Sequence, residues 1–203
     1  MPMQSSVHFF LNWAKERIDE MDATLASLEV KASQVQADSK VKAGQLIAEL
    51  QKQRDEFRAI VQERAEAGEA AWDRMKPQLE SYWNDFEAQV KTYIESVGKQ
   101  IEQQQATFRD VAAAQMKAWR EAADKFHDEA AKVAAARRSD IDAAVTQMKA
   151  DASEAEARLQ KLKLKGSESW TALGAALAES RKAFDHANHA AWEALKRAAP
   201  PRM

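Results

Sequence analysis

Apolar residues between Phe57 and Phe108 recur every eleven residues along three parallel rows. An α-helix completes three turns in eleven residues, so the rows form one almost straight stripe on a helix surface. Three-four spacing of apolar residues precedes this segment from Phe10 to Val35 and continues after it to Val133. The pattern predicts an all-α protein of long amphipathic helices with heptad and hendecad repeats, arranged as an antiparallel helical hairpin, a bundle or a coiled coil.

Four places interrupt the pattern. The stripe fades over residues 36–44, which predicts a first bend. Pro77 crowds the carbonyl of Asp73, but the stripe keeps its phase across it, so we expect one long helix with a kink there. Gly98 follows a natural helix end, and Gly166 lies between a basic turn and a capping serine, as at a helix stop and restart.

A shift of 98 residues superimposes many of these features. The aligned pairs are Gly68 with Gly166, Trp72 with Trp170, Met75 with Leu173, Leu79 with Leu177 and Phe86 with Phe184. Shared apolar periods could produce the aliphatic matches by chance, but they would less readily produce the match of a glycine that is followed four residues later by a tryptophan. We therefore predict an internal duplication with helical halves at 1–98 and 99–203, which together form either two units or one continuous elongated domain.

The composition supports long helices, since 203 residues include only five glycines and four prolines. A net charge of −2 provides no field that favours nucleic acid. The chain has no cysteine, which removes disulfides and thiolate sites and fits a reducing compartment. No apolar run is long enough to span a membrane, and we expect a cytoplasmic protein.

Few residues carry recognisable chemistry. His186, His189 and Glu193 lie at helical spacing that metal ligands use, but a di-metal bundle needs a Glu-x-x-His pair on two helices. The nearest second pair, Asp124 and His127, has aspartate in place of glutamate. We interpret the histidines as solvated side chains and expect no metal site, no cofactor and no catalytic residue, because nucleophile motifs and phosphate-binding loops are also absent from the sequence.

Three segments of the first half carry recognisable motifs: the run from Arg17 to Asp22, the run from Leu46 through Arg54 to Glu56, and the run from Ala67 to Trp72, with Trp83 one eleven-residue step later. Together they resemble a family of small bacterial stress-associated coiled-coil proteins. The resemblance covers about residues 15–95 and echoes, through the duplication, in 152–195. It implies a non-enzymatic helical protein linked to stress, and it brings no catalytic or ligand residues.

Large apolar side chains on the stripe are the candidate interaction residues. Tryptophan suits both the seams between helices and the surface of a membrane. We expect a structural or interaction protein that pairs with itself, within the chain or as a homo-oligomer; the alternative is a peripheral protein that coats a lipid membrane, droplet or storage granule, as apolipoproteins and phasins do. The candidates are Phe57, Val61, Trp72, Met75, Leu79, Trp83, Phe86, Val90, Ile94, Val97, Ile101, Phe108, Trp119, Trp170, Leu173, Leu177, Phe184 and Trp192.

Overall fold

The computed structural model describes residues 4–67, 69–98, 101–161 and 168–198, and all regular structure in these ranges is helical. The predicted all-α class is therefore confirmed, and the long helices form a bundle. The elements in chain order are α1 (Gln4–Gln34), α2 (Ala37–Glu63), α3 (Glu69–Val97), α4 (Ile101–Ala131), a single 3-10 turn (Ala135–Arg137), α5 (Ser139–Lys161) and α6 (Glu168–Ala198).

The chain divides into two compact units, Met1–Gln115 and Met116–Met203. Unit 1 contains α1, α2, α3 and the first half of α4, and unit 2 contains the second half of α4 with α5 and α6. The helices α1 and α4 end at residues 34 and 131, 97 positions apart. This offset agrees to within one residue with the shift seen in the sequence, while the duplication and its 98/99 boundary stay predictions.

In unit 1 the helices run up, down and up. Trp13 of α1 packs against Phe57 of α2 with ring centroids 6.4 Å apart, and further along α1 the Glu29 carboxylate accepts a hydrogen bond of 2.8 Å from Gln51. Because position numbers rise on α1 as they fall on α2, these two helices are antiparallel. The Tyr93 hydroxyl of α3 lies 3.4 Å from the Leu28 carbonyl oxygen of α1, and earlier on both helices the Trp83 ring contacts Arg17. Residue numbers therefore increase in the same direction along α1 and α3, so the two helices are parallel.

Unit 2 repeats this arrangement. The Lys149 ammonium of α5 lies 2.8 Å from the Asp124 carboxylate of α4, and Arg120 pairs with Glu156, which makes α4 and α5 antiparallel. Trp119 stacks on Phe184 of α6, and Phe126 meets Trp192 edge to face at 5.0 Å. Residue numbers increase on both helices from the first pair to the second, so α4 and α6 are parallel.

The prediction of one long helix through the eleven-residue stripe is wrong, because three helices share the stripe. The helix α2 ends at Glu63, and the next residues form a turn in which the Ala67 amide donates to the Arg64 carbonyl at 2.9 Å. Residues 62–67 are mostly polar, so no apolar contact opposes a reversal there. The reversal packs α2 against α3, which covers both parts of the stripe with each other.

The other predicted breaks have different outcomes. The first bend is a full reversal at residues 35 and 36, between α1 and α2. The helix α3 ends at Val97, directly before Gly98 as predicted, and it continues without a break through Pro77. Gly68 and the predicted stop and restart at Lys165–Ser167 lie outside the described residues.

Candidate functional site

The predicted interaction residues on α2 and α3 lie in the core of unit 1. Their side chains are between 0% and 9% exposed. These residues are Phe57, Val61, Trp72, Met75, Leu79, Trp83, Phe86, Val90, Ile94 and Val97. The eleven-residue spacing therefore identified residues that are buried between the helices of unit 1.

In unit 2 the predicted residues Trp119, Leu177 and Phe184 are buried, and Trp192 is partly exposed. Phe108, on the part of α4 that belongs to unit 1, is also partly exposed. The side chains of Ile101, Trp170 and Leu173 lie outside the description. The predicted residues whose side chains are described divide between the two units.

A buried ion pair in unit 1 was missed by the sequence interpretation. Arg17 and Glu20, both on α1, are each 1% exposed, and their charged groups are 3.0 Å apart. The Arg17 guanidinium also lies 5.4 Å from the ring of Trp13 and 5.2 Å from the ring of Trp83, which is the geometry of cation–π contacts. Two aromatic faces and one carboxylate therefore compensate the cost of burying this cation.

Unit 2 has a related cluster with the arginine on a different helix. Arg181 of α6 lies 5.8 Å from the ring of Trp119, and Phe184 stacks on that ring at 5.2 Å with an interplanar angle of 16°. In unit 1 the stacked pair is Trp83 with Phe86, 6.0 Å apart. Each unit thus contains an arginine against a tryptophan that also stacks on a phenylalanine.

The side-chain amide of Gln115 forms a polar link inside unit 1. It donates to the Thr24 hydroxyl and to the Glu87 carboxylate, both at 3.2 Å, so it connects α4 to α1 and to α3. The Asp110 carboxylate adds an ion pair to Lys31 at 2.6 Å. These contacts explain why the first half of α4 belongs to unit 1.

Two of the segments that carry the family resemblance meet at the surface of unit 1. Asp22, at the end of the first segment, accepts hydrogen bonds from Arg54 and from Arg58 of α2, the latter at 2.8 Å. Burial acts to lower the pKa of Arg54, but hydrogen bonds to Asp22 and Asp55 outweigh it and raise the pKa above its usual value. The network thus fixes the alignment of α1 and α2 with charges that remain partly exposed.

Two large apolar side chains of unit 1 are highly exposed. Among the described residues, the large apolar side chains with high exposure are Val30 at 60% and Val41 at 70%. None of the described helices is both long enough and apolar enough to cross a membrane. Unlike the predicted stripe, these two valines do not form a helical row.

The alternative metal ligands are not assembled into a site. His186 and His189 are exposed on α6, Glu193 is partly exposed, and His127 is exposed on α4. Within the described ranges, no three histidine, aspartate or glutamate side chains are grouped closely enough to hold a metal ion. The histidines were interpreted as solvated from the sequence, and their exposure agrees with that interpretation.

Comparison of the chain with models of protein families, with curated proteins and with solved structures found no match. The case for a function therefore depends on the contacts described above.

Proposed function

We propose that this chain is a non-enzymatic helical protein with a structural or interaction role, in which the apolar stripes hold its own helices together. The observation that carries the proposal is the burial of the predicted interaction residues of α2 and α3 inside unit 1. Burying a large apolar side chain stabilises a fold by about 1.5–3 kcal/mol, so exposing these residues to another surface would sacrifice most of the core.

The alternative is a peripheral protein that coats a lipid membrane, a droplet or a storage granule. Such a protein needs a continuous apolar helix face that is available to the lipid. The exposed large apolar residues in the described ranges, Val30 and Val41, are two isolated side chains. Lipid coating would therefore require a unit to open, and the buried tryptophans would then enter a new environment.

Tryptophan fluorescence with vesicles distinguishes the two functions. The full chain is mixed with vesicles of phosphatidylcholine and phosphatidylglycerol, and both the emission maximum and co-sedimentation are measured. The structural role predicts unchanged emission and protein that stays in the supernatant. A shift of the emission maximum in either direction, together with co-sedimentation, would overturn it in favour of lipid coating.

A matched pair of variants adds a second measurement. Leu79 is 1% exposed, and Leu79→Ala is expected to lower the free energy of unfolding by about 2–5 kcal/mol in urea titrations. Its exposed neighbour provides the control Gln78→Ala, with an expected change within about 0.5 kcal/mol. Equal stability of the two variants would contradict a structural role for the stripe.

Self-association and a link to stress extend the proposal. Sedimentation equilibrium on the full chain tests for a homo-oligomer, and a mass equal to one chain at all concentrations would restrict the self-pairing to the helices of one molecule.

The resemblance to stress-associated proteins predicts higher abundance under osmotic, desiccation or heat stress. Quantitative proteomics of the source cells tests this, and constant abundance would argue against the stress role.

A further inference from the structure

One end of unit 1 contains a cavity of about 280 Å³ that is partly open to solvent. It is bordered by the last turn of α1, the reversal into α2, the last turn of α3 and the first turns of α4. Ligand pockets in proteins usually have volumes of about 300–1,000 Å³, so this cavity lies just below that range and has room only for a small molecule. The interaction role proposed above does not use it.

The cavity walls are partly apolar and partly hydrogen-bonding. The apolar wall lies at the end of α3, where Tyr93, Ile94 and Val97 border the cavity with the small part of their surface that the core leaves uncovered. Hydrogen-bonding groups come from the reversal between α1 and α2 and from α4, and they include Gln36 and Thr107. The Gln36 side chain precedes α2 without capping it through a hydrogen bond. A ligand with an apolar body and a polar edge matches this division.

The charges of the described lining residues favour an uncharged ligand. Among the described residues that line the cavity, Lys31 alone is charged, and its ammonium is 2.6 Å from the Asp110 carboxylate. A charged ligand would lose hydration without meeting an uncompensated opposite charge, whereas an uncharged ligand avoids that cost.

The turn beside the cavity is held by short contacts. The Gln104 side chain donates to the Gly98 carbonyl at 2.8 Å and to the Glu95 carbonyl at 3.3 Å. A Cβ atom at Gly98 would lie 2.7 Å from the Gln104 side chain, so the close approach needs glycine. These contacts join the last turn of α3 to the first turn of α4 beside the cavity.

We propose that this cavity binds one small uncharged molecule that has an apolar, partly aromatic body and a hydrogen-bonding edge. Binding would stabilise unit 1 at the end where four helix termini meet. It requires no change in the packing of the stripe, so the site and the structural role are independent.

Two fluorescent probes with the same ring skeleton test the charge preference. N-phenylnaphthylamine is neutral and has an N–H group, and anilinonaphthalene sulfonate differs from it by an anionic group. The neutral probe is expected to gain fluorescence and saturate at one molecule per chain, with binding about tenfold tighter than that of the sulfonate, which corresponds to about 1.4 kcal/mol. Absence of saturable binding, or equal binding of both probes, would overturn the proposal.

Two variants of α4 test the location. Ala106 is exposed and lines the cavity, so Ala106→Phe fills the space without replacing a core side chain. Ala113 is also exposed on α4 but does not line the cavity, and Ala113→Phe is the matched control. Ala106→Phe is expected to weaken binding of the neutral probe at least tenfold, and Ala113→Phe to leave it unchanged. Equal binding by both variants would place the probe elsewhere and refute the assignment.

Circular dichroism and the urea midpoint show whether each variant is folded before the probe is added. The vesicle experiment above does not involve this cavity. A negative probe result would thus leave the structural role intact, and a positive vesicle result would leave the cavity assignment intact.

Discussion

Arg17 occupies a position in α1 where the helix spacing favours an apolar residue. The central row of α1 consists of Ala14, Arg17, Met21, Thr24 and Leu28, each 0% or 1% exposed. A charged group inside a helical bundle is tolerated only with compensation, which Glu20 and the two indole rings provide. The pair thus contributes more to the alignment of α1 with α3 than to net stability.

Removal of one partner of this pair is expected to be costly. Glu20→Leu leaves the Arg17 cation without its carboxylate and should lower the free energy of unfolding by about 3 kcal/mol. The double variant Arg17→Met with Glu20→Leu removes both charges and should recover most of that loss. Urea titration followed by circular dichroism measures both changes.

The exposed residue Lys15 on the same helix supplies the control, since Lys15→Leu should change stability by no more than about 0.5 kcal/mol. A double variant that is less stable than Glu20→Leu alone would contradict this view. It would mean that the arginine contributes through its aromatic contacts even without the carboxylate.

Gly98 is required by a close approach. Its added methyl group would lie 2.7 Å from the Gln104 side chain and 3.2 Å from the Gln104 backbone nitrogen. Gly98→Ala is therefore expected to lower stability by about 1–3 kcal/mol, the usual range for overpacking. Thermal and urea unfolding measure the loss, and adding Gln104→Ala should restore part of it.

Gly44 gives the opposite prediction and serves as the control. It lies inside α2 with no atom within 4 Å of an added methyl group. Gly44→Ala should raise the free energy of unfolding by about 0.5–1 kcal/mol, because alanine has the higher helix propensity. If both alanine variants changed stability alike, the contact with Gln104 would not be what requires glycine at Gly98.

Among the helices, α3 contains a proline that does not end it. Pro77 is exposed within the continuous helix Glu69–Val97. Proline in a helix interior lacks an amide hydrogen and crowds the carbonyl four residues earlier, here that of Asp73. The buried residues on both sides, including Met75 and Leu79, keep this segment helical through tertiary contacts.

Replacement of Pro77 should therefore stabilise the protein. Pro77→Ala restores one backbone hydrogen bond and is expected to raise the free energy of unfolding by about 1–3 kcal/mol. Urea titration measures the gain, and hydrogen exchange of residues 73–81 should slow. Gln78→Ala is the control at the next exposed position, and a loss of stability in Pro77→Ala would indicate that a bend at this residue is needed for packing.

The corresponding helices α3 of unit 1 and α6 of unit 2 pack with side chains of different size. In α3 the last buried residues are Tyr93, Ile94 and Val97, whereas α6 buries Ala187, Ala191 and Ala194. Alanine lets helix axes approach closely and favours the helical state. The two units therefore share an element order without sharing a core composition.

The division of the protein into two compact units predicts which helices lose stability when a core residue is truncated. Phe57 in unit 1 and Phe184 in unit 2 are both 0% exposed, and truncation of each should cost about 3–5 kcal/mol. Phe57→Ala should speed hydrogen exchange in α1, α2, α3 and residues 101–115 but not in α5 and α6. Phe184→Ala should have the converse effect.

Hydrogen exchange with mass spectrometry on both variants tests this prediction. Faster exchange of residues 101–115 in Phe57→Ala would support their link to unit 1 through Gln115 and Lys31. Uniform acceleration along the whole chain in both variants would mean that the two units unfold as one.

The hydrophobic spacing was enough to predict the class, and most of the predicted stripe residues whose side chains are described are buried. Trp72, Leu79, Phe86 and Val90 are buried because an apolar row on a helix must be covered in water. Spacing did not identify Arg17, Glu20 or Arg181 as buried, because pattern analysis scores them as polar. For Arg17 the sequence position could have indicated burial, since it lies three residues after Ala14 and four before Met21, on the same helix face.

The number of helices and their pairing depended on contacts between segments distant in the chain. Periodicity is a local property, and a stripe keeps the same period whether one helix or three helices carry it. The reversal at residues 64–67 became favourable only because it covers Phe57 and Val61 by packing α2 against α3. Local composition thus established that the chain is helical and which faces are apolar, whereas burial between distant segments decided where the helices end, which of them pair and where a cavity remains.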